Sequence, residues 1–169
     1  MKRIAITGPE STGKSQLAEQ LAGYYGTSWV PEYAREYLNS LNRPYHYADI
    51  LHIARKQYAL MCTAAGQSDK LVFFDTELIV TKIWCEVKYS KCHGWIDKHI
   101  DKQKVDIYLL TDINMPWQDD PLREHPHIRE HLFALYKSEL GLRGFPFVVI
   151  NGIGEERLKN AIRAVETIL

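Results

Sequence analysis

Residues 8–15, Gly-Pro-Glu-Ser-Thr-Gly-Lys-Ser, match the pattern G-x-x-x-x-G-K-[ST] in full. Gly8 and Gly13 permit backbone torsions and close approaches that a side chain would block, so successive backbone N–H groups can turn inward around an anion. Lys14 would reach the β- and γ-phosphates of a nucleotide, and the Ser15 hydroxyl would be a Mg²⁺ ligand. The predicted triphosphate-binding residues are Gly8, Pro9, Glu10, Ser11, Thr12, Gly13, Lys14, Ser15 and Gln16.

Two carboxylates that follow predicted strands are candidates for metal binding and proton transfer. Asp75 comes directly after the apolar residues 71–74, so its carboxylate would lie near the Mg²⁺ of the triphosphate site. An N-cap of the next helix is a compatible reading of Asp75. Glu32 follows a short strand and could accept the proton of an attacking hydroxyl, although a helix that begins with Pro31 and an acid in its first turn explains it equally well.

Arginines in a polar segment are candidates for stabilising a migrating phosphoryl group. Residues 116–127 are polar and aperiodic and contain three prolines and Arg123, and Arg129 follows shortly after them. Phosphoryl transfer spreads negative charge over the migrating group, and arginines on a closing segment can stabilise that charge and exclude water. We therefore expect a lid at about residues 116–129; a solvated surface loop is the alternative.

The elements that must position these residues alternate along the chain. Short apolar runs are predicted as strands at residues 2–7, 28–30, 71–74, 105–111 and 147–150. Amphipathic segments are predicted as helices at residues 14–25, 32–41, 48–65, 79–87, 128–140 and 158–169. This alternation predicts a parallel sheet with helices on both faces. Ligands of such sheets bind beyond the carboxyl ends of the strands, where the candidate residues lie.

Composition limits the classes of protein that fit. The chain has 169 residues and equal numbers of basic and acidic residues, 21 of each, so it lacks the basic excess typical of proteins that bind nucleic acid. No apolar run approaches a membrane span of about 18 residues, and the amino-terminal apolar stretch is too short for a signal peptide. Three cysteines and no export signal predict reduced thiols and a cytoplasmic protein, made of one domain over residues 1–169.

Other nucleotide and metal sites are less compatible with the sequence. No Asn-Lys-x-Asp motif for guanine occurs, and Thr76-Glu77 follows Asp75 in place of the x-x-Gly of a GTPase switch. His125, His127 and His131 lie in a polar stretch without a matched cysteine pair, and Cys85 and Cys92 lack zinc-ligand spacing. A small GTPase and a zinc protein are therefore not expected.

Four blocks of sequence together resemble the ribosylnicotinamide kinase domain of the bacterial NadR family. They are the motif at residues 8–15, Glu-Tyr-Ala-Arg-Glu at 32–36, Phe-Asp-Thr-Glu at 74–77 and Trp-Gln-Asp-Asp-Pro-Leu-Arg at 117–123. The first block is generic, whereas the second and fourth are much more specific. The resemblance implies a fold like that of nucleoside monophosphate kinases, with a five-stranded parallel sheet and a lid. The implied reaction is phosphate transfer from ATP to the 5′-hydroxyl of nicotinamide riboside.

The chain departs from this family in two respects. It has no His-x-Gly-His motif, and its length leaves no room for the nucleotidyltransferase domain of larger members, so we expect no adenylyltransferase activity. Pro31 stands where a family member has a Trp that could stack on the nicotinamide ring; Trp29, Tyr33 or Trp84 could replace it. The pair Pro31-Glu32 also resembles deoxyribonucleoside kinases, in which the acid after the second strand is the base.

Our hypothesis from the sequence is an ATP- and Mg²⁺-dependent kinase for a ribosyl 5′-hydroxyl. Lys14, Arg123 and Arg129 would act on the phosphates, and Ser15 with Asp75 would hold Mg²⁺. Either Glu32 or Asp75 would accept the proton. The residues expected at the nucleoside acceptor are Glu32, Tyr33, Arg35, Asp75 and Trp117. A kinase for another nucleoside and a nucleotide-dependent ATPase switch remain open, as does the oligomeric state.

Overall fold

A computed structural model describes residues 1–169 and contains one five-stranded, wholly parallel sheet. The strands are β1 (Lys2–Thr7), β2 (Trp29–Val30), β3 (Leu71–Asp75), β4 (Ile107–Thr111) and β5 (Phe147–Ile150). Their order across the sheet is β2-β3-β1-β4-β5, so β1 is central, between β3 and β4. The predicted parallel sheet is confirmed.

Seven helices connect and cover the strands. They are α1 (Lys14–Tyr25), α2 (Tyr33–Ser40), α3 (Tyr47–Gln67), α4 (Leu78–Tyr89), α5 (Gly94–Ile100), α6 (Arg129–Leu142) and α7 (Gly154–Glu166). None of them is long and apolar enough to cross a lipid bilayer.

Two hydrophobic cores lie on opposite faces of the sheet because successive side chains of a strand point to opposite sides. In β1, Ile4 and Ile6 belong to the core that α1 and α7 cover, whereas Ala5 belongs to the core beneath α3, α4 and α6. In β3, Phe73 and Phe74 divide in the same way. The apolar runs of the central strands are therefore explained by burial on both faces.

The structure differs from the sequence-based elements mainly at one short helix. Helix α5 was absent from the prediction because only Ile96 and Ile100 of its residues are buried, and two apolar positions are too few to reveal a helical period. Strand β4 begins at Ile107, two residues later than predicted, and α3 extends at both ends to Tyr47–Gln67. The carboxyl ends of β1, β3 and β4 meet at one edge of the sheet, and the candidate residues lie there.

Candidate active site

The loop between β1 and α1 adopts a conformation that requires its glycines. Gly8 has φ +133°, and a Cβ there would lie 2.5 Å from Thr111 Oγ1 of the adjacent strand. Gly13 has φ +66°, and a Cβ would lie 2.7 Å from Nη1 of Arg157. Side chains at either position would be strained and would collide with neighbours. The loop thus fits tightly against β4 and α7 before any ligand is considered.

Hydrogen bonds inside the loop hold its shape. The Thr12 hydroxyl donates to the Pro9 carbonyl at 2.7 Å, and the Lys14 ammonium donates to the same oxygen, also at 2.7 Å. Burial lowers the pKa of Lys14, while the nearby carboxylates of Glu32 and Asp75 oppose that shift. The lysine is therefore held by the loop backbone, and the effect of burial on its pKa exceeds that of the neighbouring carboxylates.

Arg157 of α7 supports the loop from behind and was not identified from the sequence. Its guanidinium donates to the Thr12 carbonyl and contacts the sulfur of Met115. The residue is buried, and burial lowers its pKa while Asp112 opposes the shift. An arginine spaced 145 residues from its partner belongs to no local motif, so no sequence signal could have revealed it.

Asp75 lies at the end of β3, fully buried, beside the loop. Burial raises the pKa of Asp75 to about 6; the Glu32 carboxylate adds to the shift, and Ser15 and Lys14 oppose it. Its Oδ1 is buried without a hydrogen-bond partner. A buried carboxylate with a free oxygen, next to a hydroxyl, is the donor set expected of an Mg²⁺ site.

The segment between β4 and α6 covers the loop and is attached to it. The carboxylate of Glu10 accepts hydrogen bonds from the backbone N–H groups of Glu124 (3.1 Å) and His125 (3.0 Å). The Ser11 hydroxyl accepts the N–H of Gln118 at 2.8 Å. The side chains of Glu10 and Ser11 thus bind the covering segment, a role that the sequence pattern did not predict for them.

The arginines of the covering segment and of α2 face the same loop. Arg129 donates to the carbonyls of Met115 (3.0 Å) and Ser11 (3.1 Å), and its Nε is buried without a partner. Arg123 reaches the Ser11 hydroxyl at 3.4 Å. Arg35 of α2 forms a 2.8 Å ion pair with Asp120. Arg35 and Arg123 therefore line the cleft beside the loop, whereas Arg129 ties the loop to the covering segment from outside the cleft lining.

The loop opens into a cleft of about 440 Å³ whose far wall is apolar. Glu32 and Arg35 lie on its α2 side. The apolar wall comes from α2, α4, the covering segment and α6, and consists of Leu38, Val80, Ile83, Trp84, Val87, Leu122, Leu132 and Tyr136. These residues were not predicted as a set, because their apolar spacing in the sequence indicates only helix packing. Trp84 is the one tryptophan in the cleft lining.

Most of the predicted site residues converge on this cleft, but four of them do not line it. Residues 8–16, Glu32, Arg35 and Arg123 all line the cleft. Tyr33 instead packs beside Tyr37 and His52, on the side of α2 that faces α3. Trp117 donates its indole N–H to Asp119 and lies against Arg129. Asp75 and Arg129 lie directly behind the lining, in contact with the loop and its surroundings.

Comparison with known proteins places this site in a family. Residues 3–157 match the family model described as "AAA domain". Two proteins named "Trifunctional NAD biosynthesis/regulator protein NadR", from Salmonella typhimurium strain LT2 and Escherichia coli strain K12, are each 31% identical to the chain over 127 residues. The match covers 73% of this chain and 31% of each relative, so the chain corresponds to about a third of their length.

Solved structures share the fold. A NadR protein in complex with NR has a TM-score of 0.84 and 24% identity, covering 98% of this chain and 51% of that one. A deoxyadenosine kinase from M. mycoides has a TM-score of 0.71 and 17% identity, covering 98% and 100% of the two chains. A thymidylate kinase from Ehrlichia chaffeensis has a TM-score of 0.68 and 14% identity, covering 99% and 98%.

These similarities confirm the predicted P-loop kinase fold. The deoxyadenosine kinase and the thymidylate kinase share this fold. The match to the family model extends over nearly the whole sheet and includes the loop, Glu32 and Asp75. The chain therefore belongs to the AAA domain family, and the NadR proteins are among its relatives.

Proposed function

We propose that residues 1–169 form one kinase domain that transfers the terminal phosphoryl group of ATP to the 5′-hydroxyl of nicotinamide riboside, as a step of NAD salvage. The observation that carries this proposal is that the phosphate loop and an apolar wall line the same cleft, which Glu32 also lines, and that the Glu32 carboxylate is near enough to Lys14 and Asp75 to influence their pKa values. The names of the NadR relatives, and the NR complex of one NadR protein, support this choice of acceptor.

The phosphate half of the cleft would bind the triphosphate through the backbone. N–H groups of residues 10–15 and the amino end of α1 supply positive potential without side-chain reorganisation. Lys14 would exchange its bond to the Pro9 carbonyl for the β- and γ-phosphates. Arg123 and Arg129 would stabilise charge on the migrating group, and residues 116–129 would act as the lid that excludes water.

Ser15 and Asp75 fit an Mg²⁺ ion. The free Oδ1 of Asp75 and the raised pKa of its carboxyl are both relieved by a cation at that position. Ser15 and Asp75 would hold the ion, whose positive charge would offset the negative charge that develops on the phosphate oxygens. Occupying Asp75 in this way leaves Glu32 as the carboxylate available to accept the proton of the acceptor hydroxyl.

The acceptor half of the cleft would hold the ring of the nucleoside. Trp84 can stack on a flat ring, as aromatic side chains do with bases in other proteins, and the surrounding aliphatic side chains exclude water. Arg35, held by Asp120, would orient the ribose beside Glu32. Trp84 thus takes the stacking role for which Pro31 is unsuited.

An acceptor panel tests the proposal. ADP release with Mg²⁺ and ATP should rise strongly with nicotinamide riboside and weakly with deoxyadenosine or other nucleosides, and mass spectrometry should detect the phosphorylated riboside. If only another nucleoside stimulates ADP release, that nucleoside is the acceptor and nicotinamide riboside is not. If ATP hydrolysis responds to no nucleoside, the result favours a nucleotide-dependent ATPase switch. Glu32→Gln should abolish turnover without weakening ATP binding; turnover retained in that variant would make Asp75 the base.

A further inference from the structure

A second cavity lies at the opposite edge of the sheet from the cleft, near the amino end of β1. Its volume is about 230 Å³. Helix α3, β1, β3 and the turn between α5 and β4 enclose it. Its lining consists of Arg3, Tyr58, Met61, Cys62, Ala65, Phe74, Lys102, Gln103 and Lys104. It is smaller than the roughly 300–1,000 Å³ typical of sites for whole drug-sized ligands.

The charged side chains that line this cavity are all positive. Two carboxylates outside the lining contact it: Asp106 accepts the backbone N–H of Arg3 at 2.7 Å, and Glu77 accepts from the Gln103 amide. Arg3, Lys102 and Lys104 line it, no acidic side chain does, and none of the three cations forms an ion pair. Arg3 is the least satisfied of them: its Nε is buried without a partner, and its Nη1 reaches only the Lys104 carbonyl, at 3.5 Å. A buried donor without an acceptor is destabilising, and an anion in the cavity would supply the missing acceptor.

The turn that carries the two lysines is held in place by the residue between them. Gln103 is buried, and its amide donates to the Glu77 carboxylate at 2.9 Å and to the Tyr108 hydroxyl at 2.7 Å. Its carbonyl accepts the N–H of Leu78 at 3.2 Å. The backbone from which Lys102 and Lys104 extend is therefore anchored, so their positive charges are held near the cavity by structure and do not depend on a mobile loop.

We propose that this cavity binds the phosphate group of a small phosphorylated molecule, at a site separate from the phosphate loop. A dianionic phosphate can neutralise more than one of the three cations, and its oxygens can accept from the fork of donors on Arg3. The limited volume admits the phosphate itself, while the remainder of the ligand would extend toward solvent along the exposed side of α3.

Cys62 provides a local readout that the phosphate loop does not influence. Its side chain lines the cavity and is exposed, whereas Cys85 is buried. The test uses the full chain and two thiol reagents, the dianionic 5,5′-dithiobis(2-nitrobenzoate) and neutral iodoacetamide. Modification of Cys62 is followed by peptide mass spectrometry, with inorganic phosphate as the probe and NaCl at matched ionic strength as the screening control.

The proposal predicts saturable protection by phosphate. Because a positive cavity raises the local concentration of an anionic reagent by about tenfold or more, Lys102→Gln/Lys104→Gln should slow the anionic reagent by about tenfold and remove the phosphate effect. The rate with iodoacetamide reports the thiolate fraction of Cys62 alone, so it should fall much less between variants than the rate with the anionic reagent. Lys137→Gln, an exposed lysine on α6, is the matched control and should behave as wild type.

Two outcomes would overturn the proposal. Phosphate could slow the anionic reagent no more than NaCl does, or the double variant could retain the phosphate effect. Arg3→Gln provides a second variant, because the Arg3 side chain makes only one long hydrogen bond and its loss should not unfold the chain; phosphate protection at wild-type strength in this variant would also contradict the proposal. None of these readouts depends on kinase activity, so they can fail independently of the proposed function.

Discussion

The two halves of the cleft are built by different means. The phosphate half is made of backbone, with glycines at φ +133° and +66° fitted against Thr111 and Arg157. The acceptor half is made of side chains from separate helices, with Trp84 on α4 and Leu132 on α6. The first is a continuous segment of sequence, whereas the second exists only after the chain has folded.

This difference determines how each half tolerates change. A backbone site leaves few alternatives at its glycines, because any side chain would be strained. An apolar wall can be rebuilt by substitutions that conserve volume, which usually cost less than about 1.5 kcal/mol. We therefore expect the phosphate half to be common to relatives with different acceptors and the acceptor half to decide which nucleoside is used.

The largest effect should follow from losing the charge in the phosphate half. Lys14→Ala should lower turnover by about 10²–10³-fold, the scale for one electrostatic contact to the transition state. Steady-state kinetics measures this, with Lys137→Ala on α6 as the control that should retain full activity. Near-normal turnover in Lys14→Ala would contradict the assignment of the loop.

Asp75→Asn should separate stability from function. Asp75 has a pKa of about 6 in the fold against about 3.9 in an unfolded chain, so the native state binds the proton more tightly and stability falls as pH rises between these two values. The cost at pH 7.5 is roughly 3 kcal/mol. The variant should therefore be more stable than wild type at pH 7.5, by an amount that shrinks toward pH 4, and should lose Mg²⁺-dependent turnover.

Urea unfolding across this pH range measures the stability difference, and Asp69→Asn serves as the control because Asp69 is exposed. Equal free energies of unfolding for wild type and Asp75→Asn at pH 7.5 would show that other groups of the protein already compensate the buried Asp75 carboxylate. The raised pKa would then be no support for an Mg²⁺ ion at this carboxylate.

In the acceptor half, Trp84→Leu should weaken the binding of the acceptor nucleoside and leave the binding of ATP unchanged. Stacking of a base on an aromatic side chain contributes about 1–3 kcal/mol, so KM for the nucleoside should rise by about tenfold while KM for ATP stays constant. Trp29→Leu is the control, because Trp29 packs against the core on the opposite face of the sheet. A rise in the KM for ATP, or an effect of Trp29→Leu on the acceptor, would contradict the division of the cleft.

The smallest effect is expected at the boundary between the halves. Arg35 is 45% exposed in its ion pair with Asp120, and exposed pairs contribute about 0–1 kcal/mol. Asp120→Asn should therefore raise the KM for the acceptor by less than about fivefold. The difference in KM between wild type and variant should diminish at high salt, because salt screens an exposed ion pair. Asp119→Asn, which removes no ion pair, is the control. A rise of more than tenfold in the KM for the acceptor would indicate that this ion pair contacts the acceptor directly.

The same contrast explains how much the sequence could predict. The loop, the strands and the carboxylate at the end of β3 follow from local patterns, because an apolar run that ends in Gly8 or Asp75 has few other interpretations. Tyr33 and Trp117 were expected at the acceptor but point elsewhere, since a motif specifies the position of a residue and not the direction of its side chain. The apolar wall could not be predicted, because its members share no spacing across α2, α4 and α6.

The bond from Arg157 to the Thr12 carbonyl has a consequence for transplanting the loop. In a planar trans peptide the carbonyl and the following N–H point in opposite directions, so fixing the carbonyl of Thr12 toward α7 turns the N–H of Gly13 away from it, toward the cleft. Part of the loop's shape is thus encoded in the last helix. Residues 8–15 grafted onto another scaffold would carry the motif without that distant arginine, and the graft should bind triphosphate less well than its sequence suggests.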